Sequence, residues 1–285
     1  MAPNHPVVRA RRRAAHVALH LIPDEHRAAA RADVAELGLA VLGFLLYFLV
    51  RGAVVSRESD ALGNALGIIA FESSLGIFVE PELQRWVLTS EWLWRPLNFV
   101  YFWCDFPLIV AVGLVLFWRK RTEYMLLRDS LLVSGGLALL VYYAYPVAPP
   151  RFLPQYGFVD TLALFSNLSY QAQSMRPFVN PYAAVPSLHV GWALLLVVST
   201  FRATPRWEWR AAVAAIFVLQ LVAVIGTGNH FFVDGVVGVV VCLAGLWLTY
   251  RLHGTGYPRL RQRLLDWARH PEGRSDRRAA TGRAR

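Results

Sequence analysis

Residues 211–250 read AAVAAIFVLQLVAVIGTGNHFFVDGVVGVVVCLAGLWLTY. Two apolar blocks, each close to the ~20 residues that cross a bilayer as helix, flank a Gly226-Thr227-Gly228 break. Uniformly apolar blocks of this length belong in lipid, and the break between them allows a tight hairpin. It also brings the first polar groups of the second block, His230 and Asp234, to its start.

The rest of the chain repeats the pattern. Of 285 residues, 56% are hydrophobic and 17% charged, a composition that excludes a water-soluble globule, a disulfide scaffold and a disordered chain. Further apolar blocks cover 37–55, 92–118, 129–145 and 187–201. With 211–227 and 231–250 they make six candidate spans, with Arg51 near the end of the first free to snorkel. The stretch 61–79 is apolar enough to cross, yet carries Asn64 and Glu72. If it does not cross, 23 of the 29 basic residues lie on one side and six on the other; if it does, the division weakens to 19 and ten. The positive-inside rule therefore favours six spans, with 61–79 as an interfacial or re-entrant helix packed on protein. The expected fold is an all-α integral membrane protein. A basic arm over 1–36 and a basic, disordered tail over 251–285 are cytoplasmic, and 37–250 form the membrane domain. The net charge of +10 is then a topology signal, not a nucleic-acid footprint. Cys104 and Cys242, inside apolar blocks and without ligand spacing, read as packing residues.

Six of the eight histidines lie in the basic arms; His189 and His230 lie in the membrane body. Six-span topology puts both at the outer face. Asp234 follows His230 by four residues, a helical spacing at which a carboxylate orients an imidazole and stabilises its charged form. Pro186-Ser187-Leu188-His189 opens a span with Ser187 as N-cap, and a helix start suits an anion such as phosphate. The long connection over 146–186 holds two basic residues, Arg151 and Arg176, and arginine's fork matches phosphate oxygens. Taken singly, such residues are more often interfacial hydrogen-bonding groups or anchors than catalysts; their conjunction at one face favours chemistry. Glu72, Glu80, Asp105 and Asp129 have no spacing that ties them to a reaction and read as buried polar contacts or caps. No carboxylate cluster suggests a two-metal site, and no cofactor or metal is expected. Two rivals use the same residues: a serine hydrolase built on Ser187, His230 and Asp234, and a proton-coupled transporter with a His/Asp relay.

These motifs resemble the type-2 phosphatidic acid phosphatase superfamily of six-span lipid phosphatases and phosphotransferases. Pro186-Ser187-Leu188-His189 resembles that family's Pro-Ser-Gly-His element, with leucine for glycine. His230-Phe231-Phe232-Val233-Asp234 resembles the end of its third motif. The Ser-Arg that opens the third motif is replaced by Ala223-Val224, and the lysine expected seven residues before Arg176 is Ser169. Those departures, with Pro149-Pro150-Arg151 and Gly228-Asn229-His230, resemble the branch of inositol phosphorylceramide synthases. The resemblance implies a metal-independent phosphoryl transfer in which His230 is the nucleophile, Asp234 its orienting partner and His189 the acid and base. Arg151, Ser187 and Arg176 would hold phosphate. It implies a lipid phosphate substrate, such as a phosphatidyl or polyprenyl lipid, with the site on the extracytoplasmic face of the plasma (inner) membrane.

Overall fold

A computed structural model describes residues 24–53, 57–165 and 180–254. Arg176 and most of both basic arms lie outside them. The helices are α1 (Asp24–Ala53), α2 (Glu58–Ser74), α3 (Glu80–Val87), α4 (Glu91–Trp103), α5 (Phe106–Arg119), α6 (Arg121–Ala144), α7 (Thr161–Phe165), α8 (Leu188–Ala203), α9 (Trp207–Gly226) and α10 (Phe232–Gly254). The described residues contain no strand; a lone parallel bridge joins Val147 to Ala183. Two compact units divide the chain, residues 43–252 and the two ends; the site lies within the former.

Among the described residues, four helices are long and apolar enough to cross a membrane: Ala32–Arg51 within α1, then α6, α9 and α10. The pair α4 and α5, bent by 51°, makes a fifth if counted as one span. Leu140, Val218, Val240 and Trp247 stand exposed on these helices, as lipid-facing side chains do. This is an integral membrane protein. The structure refines three expected elements. Block 92–118 is not one rod: Pro107 has no N–H for the Trp103 carbonyl, so the helix breaks at Cys104-Asp105 and restarts at Phe106. Block 187–201 is α8, apolar but only 16 residues long. Stretch 61–79 is not one helix either, since α2 ends at Ser74 and Gly76 turns the chain at φ 68°.

Both ends of α2 are tied to the same end of the bundle. At its start, Ala61 O accepts from Ala148 N at 3.0 Å and Asn64 Nδ2 donates to Pro146 O at 2.9 Å, just past the end of α6. At its finish, Glu72 reaches Val233 on the first turn of α10. Between them α2 buries Ala61, Ala65, Ile68 and Ile69 against Val147, Phe158, Val185 and Phe231. The 146–186 connection is stitched to the bundle by paired amides: Gln84 on α3 exchanges two 2.9 Å hydrogen bonds with the Val159 backbone. Asn98 on α4 accepts from Thr161 Oγ1 at 2.8 Å.

Helices α8 and α10 touch backbone to backbone. A Cβ on Gly191 would meet the Gly238 carbonyl oxygen at 2.6 Å, and one on Gly238 would overlap the Ser187 carbonyl oxygen. Neither obstacle is a movable side chain. Gly238→Ala is therefore expected to destabilise the bundle by about 1–3 kcal/mol, read as a lowered thermal midpoint in detergent. Gly113→Ala, where a Cβ meets nothing within 4 Å, is the neutral control.

Candidate active site

The α9–α10 hairpin builds the centre of the site. Helix α9 ends at Gly226, and Gly228 takes φ 72°, a left-handed turn that glycine adopts without strain. The amides of Asn229 and His230 then both donate to Val224 O at 3.0 Å. His230 accordingly precedes α10 by two residues, not opening the helix as its spacing to Asp234 suggested. The contact forms because Asp234, in the first turn, reaches back. Its Oδ2 accepts from Phe231 N at 2.9 Å and lies 3.2 Å from His230 Nδ1. The Ala184 carbonyl is also 2.9 Å from Nδ1. Two acceptors on one ring nitrogen fix the proton there and leave the lone pair on Nε2. Burial, followed by the nearby Arg151 guanidinium, lowers the His230 pKa to about 3, against the Ala184 carbonyl, which raises it. The imidazole is thus neutral at neutral pH, the state a nucleophile requires.

His189, in the first turn of α8, faces it with ring centroids 5.7 Å apart. It stacks on Tyr101 at 4.5 Å and 17°, and its Nε2 lies 3.4 Å from Asp105 Oδ2. The break between α4 and α5 is what turns Asp105 toward it. Arg151 sits in a 3-10 turn whose amide donates to Gly228 O at 2.8 Å. Its guanidinium donates to Asn229 Oδ1 and lies 3.5 Å from Asp160. His230, His189, Tyr101, Asp105, Arg151 and Asn229 line one cavity of about 320 Å³, together with Arg51 and Tyr142. Arg51 therefore does not act only as an interfacial snorkel, since its side chain borders the same cavity.

Of the six site residues read from sequence, His230, Asp234, His189 and Arg151 come together here. Ser187 does not join them. It is fully buried, its amide donates to Asp234 O at 2.9 Å, and its Oγ makes no hydrogen bond. Its backbone packs on α10, and it is not among the residues that line the cavity; its side chain caps nothing on α8. That placement also counts against a Ser187 nucleophile. Arg176 is outside the described residues. Asn229 and Asp105 carry a weaker signal in the sequence: Asn229 adjoins His230 directly, and Asp105 interrupts an apolar block two residues before Pro107.

A neutral, oriented imidazole, a second imidazole and a guanidinium thus share one cavity at one end of a helical bundle, an arrangement that suits a membrane enzyme for phosphate esters. The chain belongs to the PAP2 superfamily, which matches residues 66–248 and so takes in Arg151, His189, His230 and Asp234. It is also similar to the phosphoinositol dihydroceramide synthase of Bacteroides thetaiotaomicron, 26% identical over 168 residues, covering 53% of each chain. The chain thus spans about half the length of that relative. No solved structure matches.

Proposed function

We propose that the protein is a lipid phosphotransferase or phosphatase working through a phosphohistidine. The observation that carries this is the hydrogen bonding of His230: with Nδ1 held by Asp234 and Ala184, Nε2 is the nitrogen left to attack phosphorus. In the first half-reaction the Nε2–P bond forms and the P–O bond to the leaving alkoxide breaks, with His189 supplying the proton that oxygen needs. Asp234 stabilises the cation developing on the ring. In the second half-reaction His189 takes the proton from an acceptor hydroxyl or water, the new P–O bond forms and the P–N bond breaks. Arg151, held by Asn229, stabilises the equatorial oxygens, where positioning and electrostatics carry most of the acceleration. The scheme needs no metal. Similarity to a synthase named for a phosphoinositol product favours transfer of an inositol phosphate headgroup over hydrolysis.

The proposed topology has six spans, counting α4 with α5 as one and α8 as the shortest. Helix α2 lies along the outer interface, both termini are cytoplasmic, and the cavity opens to the extracytoplasmic headgroup region of the plasma (inner) membrane. Residues 37–250 form the membrane domain between arms 1–36 and 251–285.

The test is a panel of phosphatidic acid, phosphatidylinositol and a polyprenyl phosphate given to purified protein in detergent. Free phosphate and headgroup transferred to an added lipid alcohol are scored separately, with and without EDTA. Headgroup transfer from phosphatidylinositol, unaffected by EDTA, is expected. Absence of turnover on every lipid defeats the reading, and loss of activity restored by a divalent ion defeats the metal-independent scheme.

A further inference from the structure

Three consecutive amides open α10, and each meets a different carboxylate. Phe231 N donates to Asp234 at 2.9 Å, Phe232 N to Glu80 Oε1 at 2.8 Å and Val233 N to Glu72 Oε1 at 2.8 Å. Glu80 begins α3 and Glu72 sits near the end of α2, so the turn that follows His230 is clamped from outside its own hairpin. Glu72 and Glu80 are both fully buried. Their second oxygens, Oε2 of each, are buried without a hydrogen-bond partner, and the first oxygens sit on adjacent amides. A buried oxygen without a donor is costly, and one proton held between two neighbouring carboxyl groups would satisfy both oxygens and relieve their repulsion.

We propose that Glu72 and Glu80 are positioning residues of the phosphoryl-transfer site, a carboxyl–carboxylate pair whose single shared proton keeps the first turn of α10 closed under His230. This rests on the function proposed above. The turn's backbone carries the Asp234 and His230 contacts, so a shift there moves Nε2 away from the line of attack. The pair also keeps one negative charge, not two, beside Asp234. Burial and the hydrogen bond to Glu80 raise the Glu72 pKa to about 8, opposed by the Val233 amide. The charged groups acting on Glu72 are Glu80 from α3 and Asp234 from α10, both acidic, with His230 beyond Asp234. Raising the pH above about 8 removes the shared proton, and the two anions then repel under the turn.

Glu72→Gln keeps both an acceptor for Val233 and a donor for Glu80, but has no proton to lose; Glu72→Ala keeps neither. Glu72→Ala is expected to lower kcat about 100-fold, the cost of roughly 1 Å of misplacement, with KM changed less than about threefold. Glu72→Gln is expected to restore kcat to within about threefold of the parent, with the parent's fall in activity above about pH 8 removed. An activity-independent reading is infrared: the parent should lose a protonated-carboxyl band between about pH 7 and about pH 9 that Glu72→Gln lacks. Elution and thermal midpoint in detergent show whether Glu72→Ala is folded; if it is not, Glu72→Gln and the infrared band decide. Parent kcat in Glu72→Ala, damage in Glu72→Gln equal to that in Glu72→Ala, an unchanged alkaline limb or an absent band overturns the proposal. An inactive parent, or an active His230→Ala, overturns instead the phosphohistidine reading on which it rests.

Discussion

Replacing His230 with alanine is expected to lower turnover of the best lipid phosphate by about 10⁴-fold or more, the loss typical of removing a nucleophile from a set of residues that act as one. An acid-labile phosphoenzyme trapped in the parent during turnover should be absent from the variant. The size of the effect follows from how much of the structure serves this one ring. Gly228 turns the hairpin, Ala184 and Asp234 share its Nδ1, and Phe231 N holds Asp234 in place. His189 has a separate partner in Asp105 and a separate stacking support in Tyr101, so it cannot take over attack without leaving both. Because the ring is small and only 5% exposed, the deletion leaves a cavity. Elution in detergent must therefore match the parent before the kinetics are read. Retention of more than about 1% of parent activity by a folded variant would sink covalent transfer through His230.

What could be read from the chain alone was governed by distance along it. The apolar blocks, the hairpin at 226–228 and the His230–Asp234 pairing are local, and a spacing of four is enough to bring a carboxylate to an imidazole even though His230 sits outside the helix. That last detail was not readable, because it depends on Asp234 reaching back to cap the turn instead of lying one helical turn deeper. The 51° bend between α4 and α5 had its signal in Pro107, two residues after Asp105, within a block long enough to read as one span.

The carboxylates behave differently. Glu72 and Glu80 lie 161 and 152 positions before the amides they accept from, and no periodicity links α2 to α10 over that span. Their interruption of apolar sequence showed only that they would need partners, since an unpaired buried carboxylate is costly. Asp105 is a similar case. The site is thus local in its nucleophile and non-local in its supports.

The second large effect is expected at Arg151. Arg151→Ala should lower kcat/KM about 10²- to 10³-fold, the loss of a donor aimed at transition-state charge, and Arg151→Lys should recover only part of it, because an ammonium keeps the charge and loses the fork. The superfamily features replaced at Ala223-Val224 and Ser169 leave fewer basic groups for phosphate, which concentrates that task on the connection over 146–186. Arg151 is built for it. Its backbone is tied to Gly228, its guanidinium to Asn229 next to the nucleophile, and Asp160 balances part of its charge when no phosphate is bound. Arg51 lines the same cavity and stands 5.9 Å over the Tyr142 ring. If Arg51 were the main clamp, Arg151→Ala would cost less than about tenfold and Arg51→Ala would show the larger loss. Measuring both variants against one phospholipid, with KM and kcat separated, decides which guanidinium meets the reacting phosphate.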